Sequence, residues 1–169
     1  RYWCDSCLGR VAYICQVTGH YYDTSNVGRV VMANGEVWSQ VSFRSYGFKC
    51  AGNGKYYHRS ERVIMYDRIN WCADYFADNG FICAYSGDAY PNSEKVTLAG
   101  GATWCKQAAA KHAFTCDSCS KIHPVGYGKR NTMCVDCHKK LKTMADQQAE
   151  EAATAPKRKR ATRSAEEQL

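Results

Sequence analysis

The chain has 169 residues, a formal net charge of +7, 23% charged residues and 11 cysteines. No run of about 18 apolar residues is present, so no membrane partner is expected, and no basic start runs into an apolar stretch of the secretory type. The length allows one ordinary domain or several small ones, and the positive balance leans towards an anionic partner.

Taken in chain order, the first feature is Trp3-Cys4-Asp5-Ser6-Cys7. Cys4 and Cys7 have the spacing of a metal-ligand pair, and residues 1–14 read as the end of a unit whose first half is missing. The wording Cys-Asp-Ser-Cys returns at Cys116-Asp117-Ser118-Cys119, which is a first pair. Cys15 and His20 are the nearest residues that would complete a shell with Cys4 and Cys7.

From Cys15 onwards the chain is periodic. Cys15, Cys50, Cys83 and Cys116 lie 35, 33 and 33 residues apart. An aromatic residue stands two places before each: Tyr13, Phe48, Phe81 and Phe114. Gly19, Gly54 and Gly87 follow the cysteine by four residues. Tyr22, Tyr57 and Tyr90 follow it by seven, with His123 in that place in the last copy. Val30, Val63 and Val96 each precede a Trp by eight residues: Trp38, Trp71 and Trp104. Such agreement predicts four tandem repeats, 15–49, 50–82, 83–115 and 116–146. Each is expected to open on a turn closed by Gly, continue as a hairpin from Val to Trp, and end in a short helix. The hairpin turns are predicted at Asn34-Gly35, Asp67-Arg68 and Gly100-Gly101, and Asn79-Gly80 is a helix stop.

The fourth repeat carries the chemistry. Cys116-x2-Cys119 is followed after fourteen residues by Cys134-x2-Cys137. Zinc in a structural site takes four tetrahedral ligands, and two such pairs joined by a doubling-back stretch deliver four thiolates to one point. Pro124, Gly126 and Gly128 supply the turn residues. The alternatives are two disulfides or free thiols. His123 is either a substitute ligand or a packing residue.

The earlier repeats keep the cysteine framework only in part. At the four ligand places the first has Cys15, Thr18, Ser39 and Ser42. The second has Cys50, Asn53, Cys72 and Tyr75, and the third Cys83, Ser86, Cys105 and Ala108. Cys50/Cys72 and Cys83/Cys105 are expected to be neighbours. They read as reduced buried pairs, disulfides, or halves of a site completed by His58 or another segment. A unit of about 33 residues buries too little apolar surface alone. The earlier repeats therefore have to lean on one another, with their Trp and Tyr side chains in the core rather than on a base-stacking platform.

After Cys137 the composition is helical, with Lys139, Lys140 and Lys142 near its start. Residues 147–169 read as a disordered basic tail, because apolar periodicity ends near Gln147 and Pro156 stops any helix. Lys157, Arg158, Lys159 and Arg160 form its basic run, suited to phosphate contact or nuclear import.

Residues Cys116 to Met144 resemble treble-clef and zinc-ribbon fingers. The tandem arrangement is similar to cysteine-rich repeat proteins of unknown role encoded by tailed bacteriophages, a resemblance that implies no functional residues. The expected fold is therefore small α+β: tandem zinc-finger-like repeats, each a β-hairpin plus a short helix, then a C-terminal helix and the tail. The expected function is non-enzymatic, a zinc-stabilised adaptor associated with DNA or RNA through Lys139, Lys140, Lys142 and the basic run. The alternative is a protein-binding or virion structural module. The chain shows no His-x-Glu partner for its Cys pairs, no nucleotide loop and no nucleophile elbow, and a four-thiolate shell leaves zinc no position for water. Cys-x2-Cys spacing favours a reducing, intracellular setting, either the cytoplasm or a virion.

Overall fold

A computed structural model of the protein describes residues 4–25, 28–129 and 132–154. It divides into two compact units, Arg1–His112 and Ala113–Leu169. The architecture is small α+β: among the described residues, eight two-stranded antiparallel hairpins and a C-terminal helix that is the longest element. No described helix is long and apolar enough to cross a membrane.

After α1 (Asp5–Val11), one succession of elements occurs four times. It begins with β1 (Ala12–Ile14), β2 (Tyr21–Asp23), β3 (Arg29–Val31), β4 (Val37–Ser39) and α2 (Gln40–Tyr46). The second passage is β5 (Gly47–Lys49), β6 (Tyr56–His58), β7 (Arg62–Ile64), β8 (Asn70–Cys72) and α3 (Ala73–Asn79). The third is β9 (Gly80–Ile82), β10 (Ala89–Pro91), β11 (Lys95–Thr97), β12 (Thr103–Cys105) and α4 (Lys106–His112). The last is β13 (Ala113–Thr115), β14 (Ile122–Pro124), β15 (Gly128–Lys129), β16 (Met133–Cys134) and α5 (Val135–Thr154).

Each segment thus contains two hairpins, where the sequence predicts one. The first hairpin carries the leading cysteine at its tip. Tyr13 lies opposite Tyr22, Phe48 opposite Tyr57, Phe81 opposite Tyr90 and Phe114 opposite His123. The aromatic spacing is therefore a cross-strand register. Strands of three residues are too short to display the alternation by which a strand is read from sequence. The tip is closed by a bond from the Gly19, Gly54 and Gly87 N–H to the cysteine carbonyl, each 2.8 Å, with these glycines at φ of 69–79°. Ser120 takes the same place at φ 57°, its N–H 2.8 Å from the Cys116 carbonyl. Because the first hairpin belongs to the segment, each begins three residues before the predicted boundary, at 12, 47, 80 and 113.

The second hairpin follows the expected Val-to-Trp pattern. Val30 faces Trp38, Val63 faces Trp71 and Val96 faces Trp104. Its turns fall where predicted, with Gly35, Arg68 and Gly101 in the left-handed region at φ 87°, 66° and 84°. Helix α3 ends at Asn79 and Gly80 opens β9, as the Asn-Gly stop predicts. Gly80 sits at an ordinary φ of −129°, however; a Cβ there would collide with the Phe76 ring.

Within Arg1–His112 neighbouring segments share their cores. Met32, Met65 and Leu98, each two residues after the Val, are buried. Met32 joins Cys15, Val30 and Trp38, with Tyr56 of the next segment packed against them. Met65 joins Phe48, Cys50, Trp71 and Cys72 together with Ala89 of the next segment. The backbone ties the same places: the Ala33 N–H donates to the Tyr56 carbonyl at 2.8 Å and the Tyr66 N–H to the Ala89 carbonyl at 2.9 Å. Trp38 and Trp71 are buried and Trp104 is half-buried, so these rings are core, not an open platform.

Helix α5 continues to Thr154, which corrects the boundary at 147. Residues 147–154 are rich in Ala, Gln and Glu, good helix formers that need no apolar periodicity. The remainder of the predicted tail lies outside the described residues.

Candidate metal centre

The site is built by the two hairpins and helix of the last segment. Cys116 leaves β13 and enters the tip turn, which carries Cys119. Cys134 ends β16, and Cys137 sits in the first turn of α5. Their four sulfur atoms all lie within 4.8 Å of one another. Cys116 and Cys134 are buried, while Cys119 and Cys137 are half-buried; none is in a disulfide. This is the one metal-competent group of His, Cys, Asp and Glu among the described residues.

The geometry fits a tetrahedral cation. Metal–sulfur bonds of about 2.3 Å place sulfurs about 3.8 Å apart, inside the observed limit. The electrostatics ask for one as well. The Cys134 N–H, 3.3 Å from the Cys116 sulfur, is the largest influence on that thiol and, with the Cys119 and Ser118 N–H groups, outweighs burial to bring its pKa to about 6. Cys137 behaves oppositely. The Ser118 hydroxyl lowers its pKa, but Cys134, burial, Cys119 and Cys116 together push it up to about 12. Four sulfurs this close do not ionise together unless a cation sits among them. The four residues can therefore hold a metal ion.

His123 stands beside this group. It is buried, it stacks between Phe114 and Tyr127 at 5.8 and 5.4 Å, and its Nε2 lies 3.7 Å from the Cys119 sulfur. It contacts the Cys119 sulfur from outside the group of four. Of the two roles the sequence offered His123, substitute ligand or packing residue, its burial between two rings matches the second.

The corresponding places in the other segments keep the same backbone. The Ser39, Cys72 and Cys105 N–H groups donate to the Cys15, Cys50 and Cys83 sulfurs at 3.2, 3.1 and 3.2 Å. What fills the centre differs. In the first segment Ser42 Oγ meets the Cys15 sulfur at 3.4 Å and accepts from Ser39 Oγ at 3.0 Å. The second has the Asn53 amide, which donates to the Cys72 sulfur at 3.6 Å and to Tyr57 Oη at 2.8 Å. Tyr75 packs edge-on against Trp71, its ring pressed so close over Gly52 that a Cβ there would clash. In the third, Ala108 is buried and its N–H donates to the Cys105 sulfur at 3.4 Å. A hydrogen bond to Cys72 raises the Tyr57 pKa, and one to Cys105 raises that of Tyr90. Cys50, Cys72, Cys83 and Cys105 are free and buried.

Of the remaining predicted ligands, Cys4 is exposed at the N-cap of α1, and the Cys7 side chain lies outside the described residues. Cys15 is engaged with Ser39 and Ser42 of its own segment. Lys139, Lys140 and Lys142 are exposed on α5 just beyond Cys137. Lys157, Arg158, Lys159 and Arg160 lie outside the described residues. Compared with protein-family models, curated proteins and solved structures, the chain matches none.

Proposed function

We propose that the protein is a non-enzymatic, zinc-stabilised adaptor that associates with nucleic acid, built from four copies of one treble-clef-like unit. The fourth copy holds Zn2+ through Cys116, Cys119, Cys134 and Cys137. Zinc suits four cysteine ligands, where harder cations prefer oxygen. Its role is structural, since four thiolates leave the ion no open position. Copying of one unit is supported by the N–H to sulfur bond that recurs from the third ligand place to the first in all four segments and by the Val–Trp pair of the first three.

The nucleic-acid reading rests on one observation: Lys139, Lys140 and Lys142 are exposed on the helix that begins at the metal centre. There a metal-fixed helix presents cations at a defined place, an arrangement suited to phosphate contact. Replacing all three by Gln is expected to weaken binding to random duplex DNA and to lower the slope of log affinity against log salt by about 2 to 3. Unchanged affinity and slope would remove α5 from the contact surface. Deleting Pro156 to Leu169 is the parallel test of the basic run.

A protein-binding or virion structural role has one observation of its own. Ile64, Tyr66, Ile82 and Tyr85 are each more than half exposed. Partner capture that is indifferent to salt would favour it.

A further inference from the structure

Helix α5 is too exposed for its length. Every residue from Lys139 to Glu151 is exposed, including Leu141 at 49% and Met144 at 56%. Thirteen residues therefore extend past the metal centre with no side chain packed into a core. A helix of that length is marginal in water on propensity alone, so a packing partner would account for its sequence.

The sequence of α5 specifies what that partner is. At 100° per residue, Leu141, Met144, Ala145 and Ala149 fall on one stripe, which also contains Gln148. The small Ala145 and Ala149 allow close approach of a second helix. Charge is split along the axis: Lys139, Lys140 and Lys142 lie in the first half, which holds the single acid Asp136, and Asp146, Glu150 and Glu151 lie in the second. Parallel pairing of two such helices would set lysine against lysine. Antiparallel pairing sets each basic half against an acidic one.

We infer that two copies of the chain associate through α5, antiparallel, about an axis near Ala145. In this register Ala145 meets Ala145 of the second copy and Leu141 meets its Ala149. Lys140 and Glu151 border the same side of the stripe, and Lys142 and Asp146 border the other. Each lysine then reaches the carboxylate of the second copy on its own side, a pairing that competes with the phosphate contact proposed for Lys140 and Lys142. Lys139 lies on the opposite face and stays clear of the contact. Complementary rim charges of this kind set orientation and partner choice more than affinity.

The test is sedimentation equilibrium of the zinc-loaded full chain over a wide concentration range. The mass is expected to rise from one chain to two. Ala145→Glu, which brings like charges together at the axis, is expected to hold the protein at one chain while its zinc content stays unchanged. Lys140→Glu and Glu151→Lys are each expected to weaken association by about tenfold, and the two together in one chain to restore it. A carbodiimide cross-link between Lys140 and Glu151 is intermolecular by necessity, because on one helix they stand about 16 Å apart; it is expected in the dimer. A single-chain mass at every concentration overturns the inference, which is also the outcome if a nucleic acid or another protein is the true occupant. So does a dimer indifferent to Ala145→Glu, a double variant no better than either single one, or a dimer without that cross-link.

Discussion

Cys15 shows how a lone sulfur is held where the last segment gathers four. Its sulfur accepts the Ser39 N–H and meets Ser42 Oγ, so each buried polar atom in the pocket has a partner. Burial alone would raise this thiol's pKa. The Ser42 hydroxyl, the Ser39 and Thr18 N–H groups and the Ser39 hydroxyl together lower it to about 6. In the unfolded chain a cysteine titrates near about 8.5. The folded pKa is the lower one, so the stabilisation is full above the unfolded value. It is lost as pH falls through this window and is gone below about 6. Ser42→Ala should therefore flatten the rise in thermal midpoint between pH 6 and 8.5, measured under reducing conditions. It should also cost about 1–3 kcal/mol by leaving buried polar atoms unpaired. A pH profile identical to that of the unaltered protein would show that Ser42 does not tune this thiol. The cysteines were legible in the sequence because few residue types are as distinctive; Ser39 and Ser42 were not, because serine is common everywhere and only the folded pocket gives these two a role.

At the scale of the element, two hairpins and a helix hold four positions in register whether or not all four are sulfur. The third segment is the sharpest case. Cys83, Ser86, Cys105 and Ala108 occupy the places of Cys116, Cys119, Cys134 and Cys137, and Cys105 donates its N–H to Cys83 just as Cys134 does to Cys116. Ser→Cys and Ala→Cys are small changes. The double variant Ser86→Cys with Ala108→Cys, loaded with zinc, is expected to hold two ions per chain where the proposed function gives the unaltered protein one, read by metal analysis after gel filtration in reductant. A content that stays at one would mean that the third segment does not share the geometry of the fourth.

The second hairpin of the first three segments was legible, since Val, Trp and an Asn-Gly, Asp-Arg or Gly-Gly turn impose their own spacing. Its companion was hidden, because three-residue strands carry no pattern beyond the aromatic pair that joins them. The reach of α5 to Thr154 was hidden for a related reason: an exposed helix of Ala, Glu and Gln has no apolar face in its later turns to announce it.

Across the whole molecule, the two compact units are held by different means. In Arg1–His112 the buried residues form clusters that cross from one segment to the next, with Met32 under Tyr56 and Met65 beside Ala89. The requirement that segments of this size lean on each other was readable from their length, but the residues that do it were not: Met32 and Met65, two places after the Val, look like ordinary strand residues until the next segment lies against them. In Ala113–Leu169 the buried described residues are Cys116, His123 and Cys134, too few to hold a fold without a metal. A structural zinc contributes on the order of 10 kcal/mol or more in such a setting. Hydrogen exchange on the reduced protein, loaded with zinc and then treated with a chelator, tests this most directly. Amides of residues 113–154 should lose their protection when the metal leaves, while those of 12–112 keep theirs; protection unchanged in both units, or lost in both together, would contradict the account.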